Sequence, residues 1–178
     1  MNDLLLLALL LRGPQHGYAL KKQAGLMTGQ PDMHNNLVYP LLRRFVRQGW
    51  VTQKRVAGER GQTRQVYSLT PLGRRTLVAR LCDFDETAAS SSDEFRVRVG
   101  LLPMLDPPAR SSILEKRAAY LRKRAERFDP LQRAMEIGKY GGEVVRFIRQ
   151  QISAELAWIG KLRRMERGPR RKAATKKE

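Results

Sequence analysis

Residues 36–48 read NLVYPLLRRFVRQ, and a short basic segment with a glycine-containing centre follows them directly. At 100° per residue, the apolar side chains of this stretch share one face of a helix. The opposite face has no acidic residue; it presents Asn36, Tyr39, Arg43 and Arg47, with Arg44 at its edge. Arginine and amide groups match the edges of base pairs, and the major groove of DNA accommodates a helix. The stretch therefore predicts a helix that contacts duplex DNA through these five residues.

The flanking residues predict three more helices and a β-hairpin. Asp3 suits the N-cap of a first helix, and Thr70 followed by Pro71 suits the start of the last one. Glycine and proline breaks and runs of β-branched residues set the other boundaries. We expect helices ending at Gly13 and covering His16–Met27 and Pro71–Cys82, and strands at Trp50–Val56 and Gln65–Leu69. This order predicts a mainly α fold with a small β-hairpin, a winged helix-turn-helix domain over residues 1–82.

The net charge of +18 is distributed unevenly along the chain. Residues 1–82 hold 13 Lys/Arg against 3 Asp/Glu, and residues 161–178 hold 9 against 2. Residues 83–160 are nearly balanced, with 13 against 12. Since the excess is confined to the first domain and the tail, we expect a polyanion to bind there.

The C-terminal half predicts a helical domain joined through a linker. Residues 83–93 are polar and lack apolar periodicity, which is typical of a linker. The segment that starts at Phe95 fits a strand or a helix, and a helix is preferred because no partner strand is visible. Two long amphipathic helices follow within residues 94–166, and Glu155 interrupts the near-heptad seam of the second. Two helices with this much apolar edge favour antiparallel packing and a homodimer, and the basic tail, 167–178, is expected to be disordered.

Several function classes find no support in the sequence. The residues contain no phosphate-binding loop, no nucleophile elbow and no metal-ligand cluster, so we predict a non-enzyme without metal or cofactor. The single Cys82 excludes an internal disulfide, and burial is the preferred interpretation for it. The apolar run Leu4–Leu11 is too short to span a membrane, and it reads as a helix buried on most sides. A cytoplasmic protein without membrane contact is expected.

The motifs of residues 4–80 resemble the PadR family of bacterial transcription regulators. They are His16-Gly17-Tyr18, Tyr39-Pro40-Leu41-Leu42-Arg43-Arg44, Gly49-Trp50-Val51, Val66-Tyr67-Ser68-Leu69-Thr70 and Gly73-Arg74. The run Glu155-Leu156-Ala157-Trp158 is similar to the end of that family's C-terminal helical domain. The resemblance implies a dimeric regulator of transcription, usually a repressor, whose third helix enters the major groove. It also implies that a small aromatic effector releases some members from DNA.

The remaining candidate contacts lie on the second helix, the hairpin and the last helix. Tyr18 fits either a phosphate contact, which the resemblance implies, or half-buried packing, and Lys21 and Lys22 suit the DNA backbone. Arg60 and Arg64 suit the minor groove or phosphates. Trp158 is the candidate for stacking on an aromatic ligand, although packing is the preferred interpretation. Two rival functions remain: a non-specific architectural nucleic-acid-binding protein, and a helical module that binds an acidic protein.

Overall fold

The computed structural model describes residues 2–28, 35–57, 63–134 and 138–166, with the backbone alone at 27–28, 35–36 and 128–134. It forms two compact units, residues 1–84 with 91–105 and residues 85–90 with 106–178. The elements in chain order are α1 (Asn2–Leu9), β1 (Gln15–His16), α2 (Gly17–Thr28), α3 (Asn35–Arg47), β2 (Val51–Ala57), β3 (Thr63–Leu69), α4 (Pro71–Cys82), α5 (Glu86–Ser90), α6 (Ser92–Leu101), α7 (Pro107–Ala134) and α8 (Lys139–Glu166). Short 3₁₀ turns follow α1 and α6.

The first unit is the predicted winged helix-turn-helix. The predicted helices and strands are confirmed, with ends that differ by one or two residues, except that α1 ends at Leu9 and a 3₁₀ turn over Leu10–Arg12 leads to Gly13. Its antiparallel sheet has the order β1-β3-β2, and β1 adds a short edge strand that the sequence did not predict. Val51 lies opposite Leu69 and Ala57 lies opposite Thr63, so β2 and β3 form the hairpin expected of a wing.

The leucine-rich first helix forms the centre of this unit's core. Five leucines of α1 are buried, from Leu4 to Leu9, which confirms a helix covered on most sides. The apolar face of α3 is buried as well, through Val38, Leu42 and Phe45, and α3 packs on α2 and β2. Burial of this face leaves the polar face of α3 as the outer surface of the helix.

Thr70 joins the end of α3, the hairpin and α4. Its hydroxyl oxygen accepts a hydrogen bond from the Gly73 N–H at 2.9 Å, which confirms the predicted N-cap. A Cβ at Gly73 would lie 2.0 Å from the Trp50 carbonyl oxygen, so only glycine allows this close approach. Gly49, at φ +71°, ends α3 and turns the chain into β2.

Residues 83–93, predicted as a linker, are instead structured. Phe84 is buried with its ring 6.3 Å from that of Phe95, the segment contains α5, and Ser91 caps α6. The helix preferred for the Phe95 segment is confirmed, and it packs with the first unit. Phe84 and Ala89 of this stretch are buried, but two isolated apolar residues produce no regular periodicity in the sequence.

Two predictions about single residues are also corrected. Asp3 lies inside the first turn of α1 and accepts hydrogen bonds from two arginine side chains instead of capping the helix. Cys82 is the last residue of α4 and is exposed, because the core-facing positions of α4 are occupied by Gly73, Leu77 and Leu81.

The second unit consists of α5, α7 and α8, and a buried ion pair holds it together. The seam of α8 that packs on α7 contains Val145, Ile148, Ile152, Ile159 and Leu162. Glu155 does not weaken this seam as its position suggested, because the completely buried Arg117 of α7 pairs with both of its oxygens at 2.8 Å. Arg117 also donates to the Ala89 carbonyl oxygen of α5 at 2.6 Å. Among the described residues, no helix is long and apolar enough to cross a membrane.

Replacing Glu155 with Ala should strongly destabilise the second unit. The change leaves the Arg117 guanidinium buried without its counter-ion, and breaking such a pair from one side lowers the free energy of unfolding by about 3–5 kcal/mol. Urea unfolding followed by circular dichroism measures the loss. Glu143→Ala is the matched control, because Glu143 forms an exposed pair with Arg146 on the same helix and its loss should change stability by less than about 0.5 kcal/mol. Equal effects of the two substitutions would contradict a structural role for the buried pair.

Candidate nucleic-acid interface

The outer face of α3 carries the predicted recognition residues. Arg43 and Arg47 are exposed and Tyr39 is half-buried. They lie on one side because residues at this spacing share a helix face while Val38, Leu42 and Phe45 occupy the other. The guanidinium groups of Arg43 and Arg47 are therefore presented to solvent on a rigid, internally packed helix.

Arg44 is directed away from this face. Its side chain donates a hydrogen bond to Asp3 on α1, and its Nε is buried without a hydrogen-bond partner among the described residues. Arg44 was predicted as a DNA contact at the edge of the face. The structure shows an intramolecular partner for it, since Asp3 is close enough to neutralise it, and the DNA contact stays a prediction.

Three of the predicted contacts cannot be placed in full. The backbone of Asn36 lies in the first turn of α3, but its side chain is outside what is described. Arg60 and the basic tail, 167–178, lie outside the described residues altogether.

The start of α2 adds an aromatic and basic surface. Tyr18 is 71% exposed, so half-buried packing does not describe it. Lys22 is exposed and Lys21 is half-buried on the same helix. All three stay candidate contacts with the DNA backbone.

A cleft of about 640 Å³ lies between the start of α2, α3 and β3. Its walls combine aromatic rings with polar and basic groups: His16, Gly17, Tyr18, Ala19, Tyr39, Thr63, Arg64, Gln65 and Tyr67. The structure thus brings the predicted residues Tyr18, Tyr39 and Arg64 into one concave surface. The cleft belongs entirely to the first unit, so its shape follows from the fold of the winged helix alone.

Gly17 and Tyr67 shape this cleft, and neither was predicted as a site residue from the polar face of a helix. A Cβ at Gly17 would lie 2.9 Å from Cε1 of Tyr39 and 3.3 Å from Cε2 of Tyr67, so the missing side chain makes room for two rings. Tyr67 is buried and donates a hydrogen bond from its hydroxyl to Oε1 of Gln65 at 2.9 Å. The two-residue alternation of β3, which places Gln65 and Tyr67 on one side, was the available signal.

The Tyr67 hydroxyl lies within the electrostatic influence of the α3 face. Burial raises the pKa of Tyr67 above its ordinary value, Tyr39 raises it further and Arg43 opposes the rise. The phenol therefore stays protonated at neutral pH and remains a hydrogen-bond donor to Gln65. Tyr67 supports the cleft from behind while Tyr39 and Arg43 face outward.

The wing is basic on both strands. Arg64 is exposed on β3, opposite Val56, as predicted for a hairpin contact. Lys54 and Arg55 are exposed on β2 and extend the basic surface, although they were not predicted. Asp3, with its carboxylate between two arginines, is the only acidic residue described in the stretch 2–82. The described part of this domain is therefore strongly cationic, with almost no negative charge to repel a bound anion.

These features are those of a winged helix-turn-helix domain with a basic outer face, and the comparison with known families agrees with this fold. Residues 6–79 match the model described as the Transcriptional regulator PadR-like family, which spans α1 to α4. The resemblance inferred from the sequence motifs is confirmed over these residues, where the chain is similar to the PadR-like family. The family is one of transcription regulators.

Solved structures of regulators are among the similar chains. A proposed transcriptional regulator from Thermoplasma acidophilum is 28% identical over 59% of this chain and 93% of its own, with a TM-score of 0.43. Bacillus subtilis PadR in complex with operator DNA is 16% identical over 92% and 98%, with a TM-score of 0.43. The same regulator in complex with p-coumaric acid is 17% identical over 92% and 97%, with a TM-score of 0.41. No curated protein sequence matches the chain.

Replacing Gly17 with Ala should displace the Tyr39 ring. The added methyl group overlaps the two tyrosines, and overpacking of this kind lowers stability by about 1–3 kcal/mol. The readouts are the urea unfolding midpoint and the near-ultraviolet circular dichroism of the tyrosines. Gly100→Ala is the matched control, because Gly100 also lies in a helix and a Cβ there has no atom within 4 Å. The control should be neutral or stabilising by up to about 1 kcal/mol, and a loss of the same size in both variants would contradict the close packing at Gly17.

Proposed function

We propose that this protein is a sequence-specific DNA-binding transcription regulator that acts as a homodimeric repressor. The observation that carries the proposal is the outer face of α3, where Arg43 and Arg47 are exposed on a helix packed from behind. The PadR-like family match of residues 6–79 supports the same class of function.

The third helix reads bases in this proposal. The N-terminal residues of a recognition helix approach base edges, so Tyr39 and Arg43 lie nearer the bases than Arg47. The arginine fork of Arg43 fits the two acceptors of a guanine edge. Arg47, one turn later, suits a phosphate.

The second helix and the wing hold the DNA backbone. Tyr18 on α2 and Arg64 on β3 line the cleft beside α3, and Lys22 is exposed further along α2. Hydroxyl and cationic groups are the usual donors to phosphate oxygens, and such contacts fix the register of the protein on the duplex. Because these groups neutralise phosphates, affinity should weaken steeply with rising salt.

Dimer formation rests on a second apolar stripe of α8. This exposed seam consists of residues spaced by three, four or seven: Tyr140, Val144, Phe147, Ala154, Trp158 and Met165. Val144 and Phe147 are 56% and 59% exposed, although the adjoining face of the helix already packs on α7. An exposed apolar stripe at coiled-coil spacing is best covered by the same stripe of a second copy.

Replacing Arg43 should remove discrimination between DNA sequences. The experiment selects bound fragments from the source genome and then measures the affinity of each variant for the selected site and for a scrambled duplex. Arg43→Ala should weaken binding to the selected site by about 1–3 kcal/mol more than it weakens binding to the scrambled duplex. Arg43→Lys keeps the charge but loses the fork, so it should retain scrambled-DNA binding and lose most of the discrimination.

Arg75→Ala is the control for this experiment. Arg75 is exposed on α4, and α4 begins beside Trp50, far from the tip of the hairpin. Loss of the Arg75 side chain should therefore leave the discrimination between DNA sequences unchanged. Equal weakening of both duplexes by Arg43→Ala would favour the rival function of a non-specific architectural protein. No binding to any duplex would remove the proposal. Expression of a reporter placed behind the selected site tests repression, which requires lower output when the protein is present.

Charge on the exposed seam should abolish dimerisation. Phe147→Glu places a carboxylate in the centre of the apolar stripe, whereas Arg149→Glu places one outside it on the same helix. Sedimentation equilibrium at micromolar concentration should show a monomer for the first variant and a dimer for the second. A dimer for both would exclude this seam as the interface.

The last part of the proposal is that a small aromatic effector binds the protein and releases it from DNA. Trp158 lies on the exposed seam and is 36% exposed, so a ligand at the seam would change its fluorescence. Titration of the DNA complex with phenolic acids tests this, and the expected result is release of DNA together with quenching of Trp158. Release without any change in Trp158 fluorescence would place the ligand elsewhere.

A further inference from the structure

The carboxylate of Asp3 lies between two arginines of different helices. Oδ2 of Asp3 accepts a hydrogen bond from Arg44 of α3 and another, at 3.1 Å, from Nη1 of Arg80 of α4. The Asp3 side chain is only 20% exposed. Asp3 is also the single acidic residue described in residues 2–82, where the other charged side chains are lysines and arginines.

The two arginines differ in what else holds them. Arg80 stacks over the Trp50 ring at 4.9 Å, so it has a second partner inside the domain. Arg44 contacts Asp3 through one terminal nitrogen and lies 5.6 Å from the ring of its chain neighbour Phe45, and its buried Nε has no hydrogen-bond partner among the described residues. Its side chain is 39% exposed and starts one residue after Arg43, at the edge of the outer face of α3.

We infer that Asp3 withholds Arg44 from DNA and so limits the number of phosphates that the domain neutralises. This inference rests on the proposed DNA-binding function and assigns Asp3 a role in specificity. A free arginine at the edge of the recognition face would bind a phosphate in any sequence. Such a contact strengthens binding to all duplexes alike and adds nothing to the discrimination between DNA sequences. Holding Arg44 on Asp3 therefore favours the specific site over the excess of non-specific DNA.

The dependence of affinity on salt tests the inference, because each phosphate contact contributes about 0.9 to the slope of log K against log salt. The probe is a random-sequence duplex, so no operator has to be known. In the wild-type background, Arg44→Ala should leave the slope unchanged, whereas Arg47→Ala should reduce its magnitude by about 0.9. Arg47 is the matched control since it lies one turn further along the same helix and is exposed.

Asp3→Asn should release Arg44 and increase the magnitude of the slope by about 0.9. At 0.1 M salt, affinity for the random duplex should then rise roughly fivefold to tenfold. The double variant Asp3→Asn/Arg44→Ala should return to the wild-type slope. A merely structural role of Asp3 would lower affinity and would not steepen the salt dependence.

Two results would overturn the inference. One is a reduced slope for Arg44→Ala alone, which would show that Arg44 already contacts phosphate in the wild-type protein. The other is an unchanged slope for folded Asp3→Asn. If Asp3→Asn fails to fold, the salt slope of Arg44→Ala still shows whether Arg44 contacts phosphate in the wild-type protein. Wild-type protein that binds no duplex would refute the proposed function itself, and this outcome is distinct from both results above.

Discussion

The apolar face of α3 has to be buried, and the placement of the candidate DNA contacts follows from that burial. Val38, Leu42 and Phe45 are fully buried, and the helix packs on α2 and β2. A helix held in this way has no freedom to rotate about its axis without exposing large side chains to water. Arg43 and Arg47 are therefore directed outward by packing on the opposite face, and no other contact is needed to orient them.

The sequence predicted those parts of the structure that local rules govern. The three-to-four spacing of α3, the β-branched strands and the Thr70 cap each depend on residues within one or two turns of one another. Residues 83–93 could not be predicted in this way, because their packing depends on Phe95 of α6, whose ring lies near Phe84, and on Arg117 of α7, which bonds to Ala89. The cleft is a similar case, since Gly17 matters only because two tyrosines from α3 and β3 approach it.

Charged residues show the same limit of sequence reasoning. Helical spacing placed Arg44 at the edge of the outer face of α3, but its ion-pair partner Asp3 lies 41 residues earlier in the chain. Glu155 looked like a break in an apolar seam until Arg117, 38 residues earlier, was found beside it. A buried charge requires a partner, and that partner is set by tertiary packing and not by spacing along one helix.

The two faces of α8 constrain how its length can change. One face packs on α7 around Ile152 and Ile159, and the exposed seam with Phe147 and Trp158 runs along an adjoining face. An insertion of one residue would rotate everything beyond it by about 100° and break the continuity of both stripes. An insertion of seven residues would nearly preserve both. Changes in the length of this helix are therefore expected to preserve both stripes only when they come in whole heptads.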